Sequence, residues 1–316
     1  MRHFTSVHDV PLLNQLLQTA REVKQAPFSH KALGTNRSLC AIFLNPSLRT
    51  RLSTQRAAAN LGMDCTVLNL DGEGWKIEFA DGAVMNGDKA EHIKEAAGVI
   101  GAYYDVVALR SFPLLQDRQA DYADHTLRQF IKYCGKPVVS LESCTRHPLQ
   151  SLADVITIET HKKTTRPKVV LTWAPHPRAL PQAVPNSFAE WMNAMDYELV
   201  ITHPEGYELH PDFVGQAQVE YDQRRAFEGA DFIYAKNWSS YARYGQILST
   251  DPTWTVDAAK MALTSEAKFM HCLPVRRNVI VTDEVIDSPQ SVVLEQAANR
   301  IVAAQAVLQE ILSSVS

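Results

Sequence analysis

The sequence predicts an α/β protein made of two doubly wound parallel-sheet domains, and three observations carry that expectation. Short apolar runs alternate with helix-spaced stretches along the chain, the pattern of parallel strands joined by crossover helices. The alternation falls into two series, separated by the charged, apolar-poor segment His161-Lys-Lys-Thr-Thr-Arg-Pro-Lys168, a hinge or edge loop. With 316 residues, 46% hydrophobic and 21% charged, the chain is long enough to bury two cores.

The first series opens at Ser6-Val-His-Asp9 and Pro11, a helix start, with Leu12, Leu13, Leu16, Leu17 and Val23 forming an apolar face to about residue 24. Cys40 to Leu44 reads as a buried strand, which Asn45-Pro46 ends because a residue before proline avoids helical angles. Ser47 then caps a helix over Thr50 to Leu61, closed by Gly62. Asp64 to Leu70 is the next strand, followed by the polar, Gly-punctuated loop 71–82 with Trp75 in it. A large aromatic beside glycines needs something to pack on: the loop itself, a ligand, or a neighbouring subunit. A helix over Asp88 to Tyr103, a strand over Val106 to Arg110, a helix near Asp121 to Tyr133 and a strand over Pro137 to Leu141 continue the pattern. The polar turn 142–150 leads into a helix from Pro148 to about Glu159, with proline in the first turn where its missing N–H is no loss.

The second series has strands at Val169–Thr172, Tyr197–Thr202, Val219–Asp222, Phe232–Tyr234 and Lys268–Met270, separated by helical stretches near 186–196, 222–229 and 255–261. Pro289 to Leu312 is a long amphipathic helix with Val293, Ala297, Ile301, Ala304 and Leu308 on one face. No internal repeat is visible.

Composition excludes several functions. A net charge of −4 and a pI near 6.3 carry no footprint for nucleic acid or an anionic membrane, so neither is expected as a partner. The five cysteines (40, 65, 134, 144 and 272) form no C-x-x-C pair, and an odd count in apolar runs fits reduced thiols. No apolar stretch reaches the length of a membrane span and no signal-peptide pattern opens the chain, so the cytoplasm is expected. No metal-ligand spacing and no Gly-rich βα turn occurs, so no metal and no nucleotide cofactor are expected.

The turn Ser47-Leu-Arg-Thr-Arg51 stands apart. It joins a strand to a helix N-terminus, where unpaired N–H groups and the positive end of the helix dipole converge on one point. Ser47, Arg49, Thr50 and Arg51 add donors there, which suits a phosphate; the plainer reading is a βα turn with two solvated arginines. Three more turns follow apolar runs in the same way: Arg110, His147-Pro-Leu-Gln150 and His271-Cys-Leu-Pro274. In this order the four resemble the aspartate/ornithine carbamoyltransferase superfamily, over nearly the whole chain as far as Ala-Asn-Arg300. That resemblance implies a carbamoyl-phosphate-binding domain over 1–147 plus 290–316, and an amine-substrate domain over 148–289, with the last helix returning to the first domain. It also implies a homotrimer in which the Trp75 loop is shared between subunits.

Within the superfamily His271-Cys-Leu-Pro274 is similar to the ornithine branch. Ornithine enzymes follow the strand matching Phe232–Tyr234 with an aspartate and a Ser-Met-Gly element that hold the α-amino and α-carboxylate groups. Here Lys236-Asn-Trp-Ser-Ser-Tyr241 stands instead. A cation in the aspartate's place repels a free ammonium and suits an amide nitrogen with carboxylates around it. The chain therefore resembles the N-acylornithine carbamoyltransferases, sharing the Trp75 loop, Glu142, His176, Lys236 and Arg276. In that subgroup glutamate in the loop Asp88–His92 goes with acetyl and proline with succinyl; here the position is Ala90, which leaves room and places no negative charge against a distal carboxylate.

What the resemblance implies for the site is as follows. Ser47, Leu48, Arg49, Thr50, Trp75, Arg110 and Arg300 hold the phosphate; Thr50, Arg110 and His147 polarise the carbamoyl oxygen; and Gln150 with the backbone carbonyls of Cys272 and Leu273 holds the carbamoyl NH2. Thr50, Arg110, His147 and Cys272 are then the catalytic candidates. Glu142, His176, Lys236, Arg276, Leu273 and Ala90 face the acylornithine. N-succinyl-L-ornithine is the expected acceptor, with N-acetyl-L-ornithine and then ornithine as alternatives. A non-catalytic anion-binding relative is the alternative from another class.

Overall fold

The computed structural model describes residues 1–70 and 75–315; Asp71 to Gly74 of the expected loop lie outside them. The chain forms two compact units, one of Met1–Pro113, Gln119–Leu149 and Arg300–Ser316, the other of Leu114–Arg118 and Gln150–Asn299.

In the first unit the elements run α1 (Leu13–Gln25), β1 (Ser38–Phe43), α2 (Leu48–Leu61), β2 (Asp64–Asn69), β3 (Ile77–Glu78), β4 (Glu91–His92), α3 (Ile93–Tyr103) and β5 (Val106–Arg110). Then come α4 (Arg118–Tyr122), α5 (His125–Tyr133) and β6 (Val138–Glu142). Strands β2-β1-β5-β6 make one parallel sheet in that order. β1, β5 and β6 are buried almost throughout, as parallel strands with both faces covered must be, and this is why they read as unbroken apolar runs. Ile42, Val107, Leu109, Phe130 and Val138 anchor the core. Two glycines are required here. Gly62 ends α2 in the left-handed region at φ 79°, and a Cβ on Gly101 would lie 1.8 Å from the Cys134 carbonyl oxygen, so α3 approaches the end of α5 only without a side chain there.

The second unit takes up α6 (Pro148–His161) and continues through β7 (Lys168–Trp173), α7 (Ala183–Ala194), β8 (Glu198–Thr202), α8 (Pro211–Val214), β9 (Gln218–Glu220), α9 (Gln223–Phe227) and β10 (Phe232–Lys236). α10 (Ala258–Met261), β11 (Lys268–Met270), α11 (Asp283–Ile286) and α12 (Val293–Val315) complete it. Its sheet is parallel, in the order β11-β10-β7-β8-β9. From Arg300 onward α12 belongs to the first unit, fastened by Asn60 donating to Gln305 at 2.9 Å and Thr19 donating to Glu310 at 2.7 Å. No helix among the described residues is long and apolar enough to cross a membrane.

Four local expectations are corrected. Ser6-Val-His-Asp9 closes a capping box on a single turn of 3-10 helix, and α1 starts afresh at Leu13, after Pro11. The helix expected from Asp88 begins at Ile93, because Glu91 and His92 pair with Ile77 and Glu78 and His92 then accepts from the Lys94 N–H. The helix expected over 121–133 is two helices, broken at Asp124 (φ 47°). Ser47 sits at the N-cap of α2 with extended backbone, but its side chain makes no capping hydrogen bond. The charged segment 161–168 lies within the second unit, where it joins α6 to β7.

Candidate active site

Each sheet has one place where the strand order reverses, and in doubly wound sheets ligands bind beyond the carboxyl ends of the strands at that place. In the first unit the reversal lies between β1 and β5, paired from Leu39 with Val106 to Phe43 with Arg110. The Ser47 turn leaves the end of β1, and Arg110 is the last residue of β5. Asn45 pins the turn there by accepting the Phe112 N–H at 2.8 Å, and the Leu44 N–H donates to the Arg110 carbonyl at 3.1 Å.

Around that point the structure gathers Thr50, Arg110, Glu142, His147 and Arg300, all buried. Arg110 Nη1 donates to Glu142 Oε2, a pair brought together because the two residues end adjacent strands. Arg300 Nη2 donates to the Thr50 hydroxyl at 2.6 Å and lies 3.5 Å from His147 Nε2; that nitrogen is also 3.5 Å from Glu142 Oε2. Burial first, and then Arg300, Arg110 and Arg49, push the His147 pKa well below its usual value. The imidazole is therefore neutral at pH 7 and acts as a hydrogen-bonding group. Its Nδ1 is buried without a hydrogen-bond partner. Arg300, Arg110 and Arg49 all bear on this imidazole, and Arg110 also pairs with Glu142; positive charge concentrated in this way suits an anion. Ser47 and Leu48 open α2 at the same place, where its first N–H groups have no intrahelical acceptor.

Within the described part of the segment after β2, residues 75–92 form a ribbon. Ile77 and Glu78 pair with Glu91 and His92, and the Ala90 N–H donates to the Lys76 carbonyl at 3.0 Å. Lys89 pairs with Glu78 at 2.9 Å and Lys94 with Asp81 at 3.0 Å. Trp75 and Ala90 are thus neighbours on one ribbon, and among the described residues no hydrogen bond joins either of them to the Arg110 cluster. Trp75 donates to Glu91 at 2.8 Å yet is 62% exposed, so it is not packed beneath its own loop. Ala90 is exposed as well.

In the second unit the reversal lies between β7 and β10. His176 follows β7 and Lys236 ends β10. His176 Nε2 accepts from Arg276 Nε at 3.0 Å, and its Nδ1 accepts from the Arg178 N–H at 3.0 Å. Burial first, with Lys236, Arg276 and Arg178 adding to it, lowers the His176 pKa. Lys236 is buried and donates to the Asn237 carbonyl at 3.0 Å, so it is no surface lysine. The same unit holds Gln150 together with Cys272 and Leu273, the Leu273 N–H donating to His271 Nδ1 at 2.8 Å.

Two buried aspartates went unnoticed in the sequence. Asp154 is fully buried one turn beyond Gln150 and accepts its side-chain N–H at 2.8 Å; the i, i+4 spacing on a helix was the available signal. Asp124 accepts from Thr145 and Ser143 hydroxyls and, at 2.8 Å, from the Cys144 N–H, so it shapes the turn that leads to His147. Nothing local announces that role. No group of three or more His, Cys, Asp or Glu residues suited to a metal occurs among the described residues. All five cysteines are free, and burial raises the thiols of Cys40 to about 12 and Cys65 to about 11, which keeps them unreactive.

Comparison with known proteins adds to this geometry. Residues 2–160 match the carbamoyl-phosphate-binding domain model of aspartate/ornithine carbamoyltransferases, and residues 181–311 match the Asp/Orn-binding domain model. The chain is 59% identical to N-succinylornithine carbamoyltransferase of Bacteroides fragilis, covering 100% of each. It is 35% identical to N-acetylornithine carbamoyltransferase of Xanthomonas axonopodis pv. citri, over 99% of this chain and 97% of that one. Among solved structures it resembles N-acetyl-L-ornithine transcarbamylase carrying a glutamate-to-alanine substitution, complexed with carbamyl phosphate and N-succinyl-L-norvaline. The TM-score is 0.92 at 36% identity, covering 98% of this chain and 100% of that one.

Proposed function

The chain belongs to the aspartate/ornithine carbamoyltransferase family, and on that footing we propose that it carbamoylates the δ-amine of N2-succinyl-L-ornithine with carbamoyl phosphate, giving N-succinyl-L-citrulline and phosphate in arginine biosynthesis. The acceptor assignment is carried by the full-length 59% identity with N-succinylornithine carbamoyltransferase.

The residues divide the work. Ser47, Leu48, Arg49, Thr50, Arg110 and Arg300 receive the phosphate, with Trp75 supplied by an adjacent copy. Negative charge grows on the leaving phosphate as its bond to the carbamoyl carbon breaks, and prepositioned guanidinium groups stabilise that charge. Thr50, Arg110 and neutral His147 face the carbamoyl oxygen, on which charge develops when the δ-nitrogen attacks the carbon. Gln150 and the Cys272 and Leu273 carbonyls accept from the carbamoyl NH2. The attacking nitrogen must be neutral, and its surplus proton leaves with the phosphate. Glu142 accepts the N–H of the acyl amide, while His176, Lys236 and Arg276 take the carboxylates. Neutral His176 fixes the Arg276 guanidinium by accepting from its Nε. Ala90 admits the distal carboxylate; binding of a succinyl ligand by the acetylornithine relative whose glutamate is replaced by alanine supports this reading.

The enzyme is expected in the cytoplasm as a homotrimer. Trp75, 62% exposed, and Val84, 82% exposed, are among the apolar groups of the ribbon that a neighbouring copy would cover; a gel-filtration mass of one chain would remove the shared-loop role.

The deciding experiment is product formation from carbamoyl phosphate with ornithine, N-acetylornithine and N-succinylornithine in parallel. Turnover of the succinyl substrate is expected. Preference for the acetyl compound overturns the role given to Ala90, and preference for free ornithine overturns that of Lys236.

A further inference from the structure

We propose that Asp154 is a positioning residue that fixes which end of the Gln150 amide faces the carbamoyl group. This rests on the carbamoyl-phosphate reading above.

The argument is one of hydrogen-bond polarity. Gln150, Asp154 and Gln296 are each no more than 1% exposed, so each polar atom needs a partner. A carboxylate only accepts, so it determines which end of each neighbouring amide points at it. Asp154 Oδ1 accepts from Gln150 Nε2 at 2.8 Å and from Gln296 Nε2 at 2.7 Å. With its nitrogen turned to Asp154, Gln150 presents Oε1 on its other side, and that oxygen is buried with no hydrogen-bond partner. A buried acceptor left open in this way selects a donor. Carbamoyl phosphate offers such a donor in its NH2 group, and inorganic phosphate has no such group.

The same carboxylate reaches the third motif of the site. Because Gln296 gives its nitrogen to Asp154, its oxygen faces the other way and accepts the His271 N–H at 2.9 Å; His271 Nδ1 in turn accepts from the Leu273 N–H. One buried carboxylate thus sets the polarity of Gln150 and the seating of the Cys272-Leu273 carbonyls, the two acceptors assigned to one NH2 group.

Asp154→Asn keeps the shape and removes the constraint, since an amide at 154 allows either neighbouring glutamine to flip. Phosphonoacetamide, a stable amide analogue of carbamoyl phosphate, should then bind about tenfold more weakly, the equivalent of one hydrogen bond in a buried site, while inorganic phosphate binds as before. The double variant Gln150→Glu/Asp154→Asn reverses donor and acceptor at constant charge, and should recover amide binding relative to Asp154→Asn. Equal weakening of both ligands, or no weakening of either, overturns the proposal. Should Asp154→Asn not fold, the wild-type Gln150 side-chain NH2 remains readable by nitrogen-edited NMR. It is expected to be exchange-protected before phosphonoacetamide is added and to stay so afterwards; free exchange overturns the proposal. A wild-type chain that binds phosphate but not phosphonoacetamide overturns the carbamoyl reading itself, and Asp154's role with it.

Discussion

Lys236 shows how one residue redirects a site. It is buried at the end of β10 and contributes to depressing the His176 pKa, so its charge acts inside the second unit. A buried ammonium is costly without anionic or hydrogen-bonded partners. It holds the Asn237 carbonyl, and in the proposed reaction a carboxylate of the acceptor supplies the matching charge. Lys236→Met should raise the KM for N-succinylornithine about tenfold to a hundredfold, the loss of one charge-assisted hydrogen bond, and leave the KM for carbamoyl phosphate unchanged. Steady-state kinetics with each substrate varied in turn checks it; equal changes in both KM values would argue against a direct contact. Glu142 teaches the converse lesson. The sequence marked it as a polar residue after an apolar run, but its partner Arg110 is 32 positions away and becomes a neighbour only through strand register.

At the scale of elements, legibility followed periodicity. The sheet strands and the long helices stand close to their expected places because parallel strands are continuous apolar runs and the helices carry a 3.6-residue stripe. Two of the misses came from tertiary bonds overriding a local pattern. Residues 121–133 read as one helix, yet Asp124 leaves helical angles to accept from Ser143, Cys144 and Thr145, a gain visible only once β6 is in place. Likewise, 88–92 joined a ribbon because Glu91 and His92 found Ile77 and Glu78. The site turns were legible as chemistry because each follows a strand, whereas Asp154 and Gln296 were invisible as an ensemble because their partners lie 4 to 142 residues apart. Gly101 tests how tightly such elements are fitted. A methyl group there meets the Cys134 carbonyl, so Gly101→Ala should lower stability by about 2 kcal/mol through forced separation of α3 and α5. Thermal unfolding of the variant checks this, and an unchanged or raised Tm would mean that the contact relaxes freely.

For the whole molecule, a mildly acidic chain of net charge −4 keeps concentrated positive charge out of water around a neutral histidine. That arrangement links folding to pH with a definite sign. The unfolded His147 has a pKa of about 6.5, and the folded value lies well below it because of burial and the facing guanidinium groups of Arg300, Arg110 and Arg49. Between the two values the unfolded chain binds the proton and the folded chain does not, so stability rises with pH in that interval. The contribution is present above about pH 6.5 and is lost as pH falls from there toward the folded value, by up to about 1.4 kcal/mol per pH unit for one such group. His176 and His203, also lowered chiefly by burial, add slopes of the same sign. Asp124 runs the other way, since burial raises its carboxyl pKa. Comparing wild type with His147→Asn at each pH cancels those shared contributions. Denaturant unfolding between pH 7.5 and 5.5 should therefore show wild type losing stability faster than His147→Asn as the solution is acidified. A wild type that instead gains stability on acidification would mean that His147 is protonated in the folded protein, and parallel profiles would mean that folding leaves its pKa unchanged; either removes the basis for assigning it as a neutral hydrogen-bonding group for the carbamoyl oxygen.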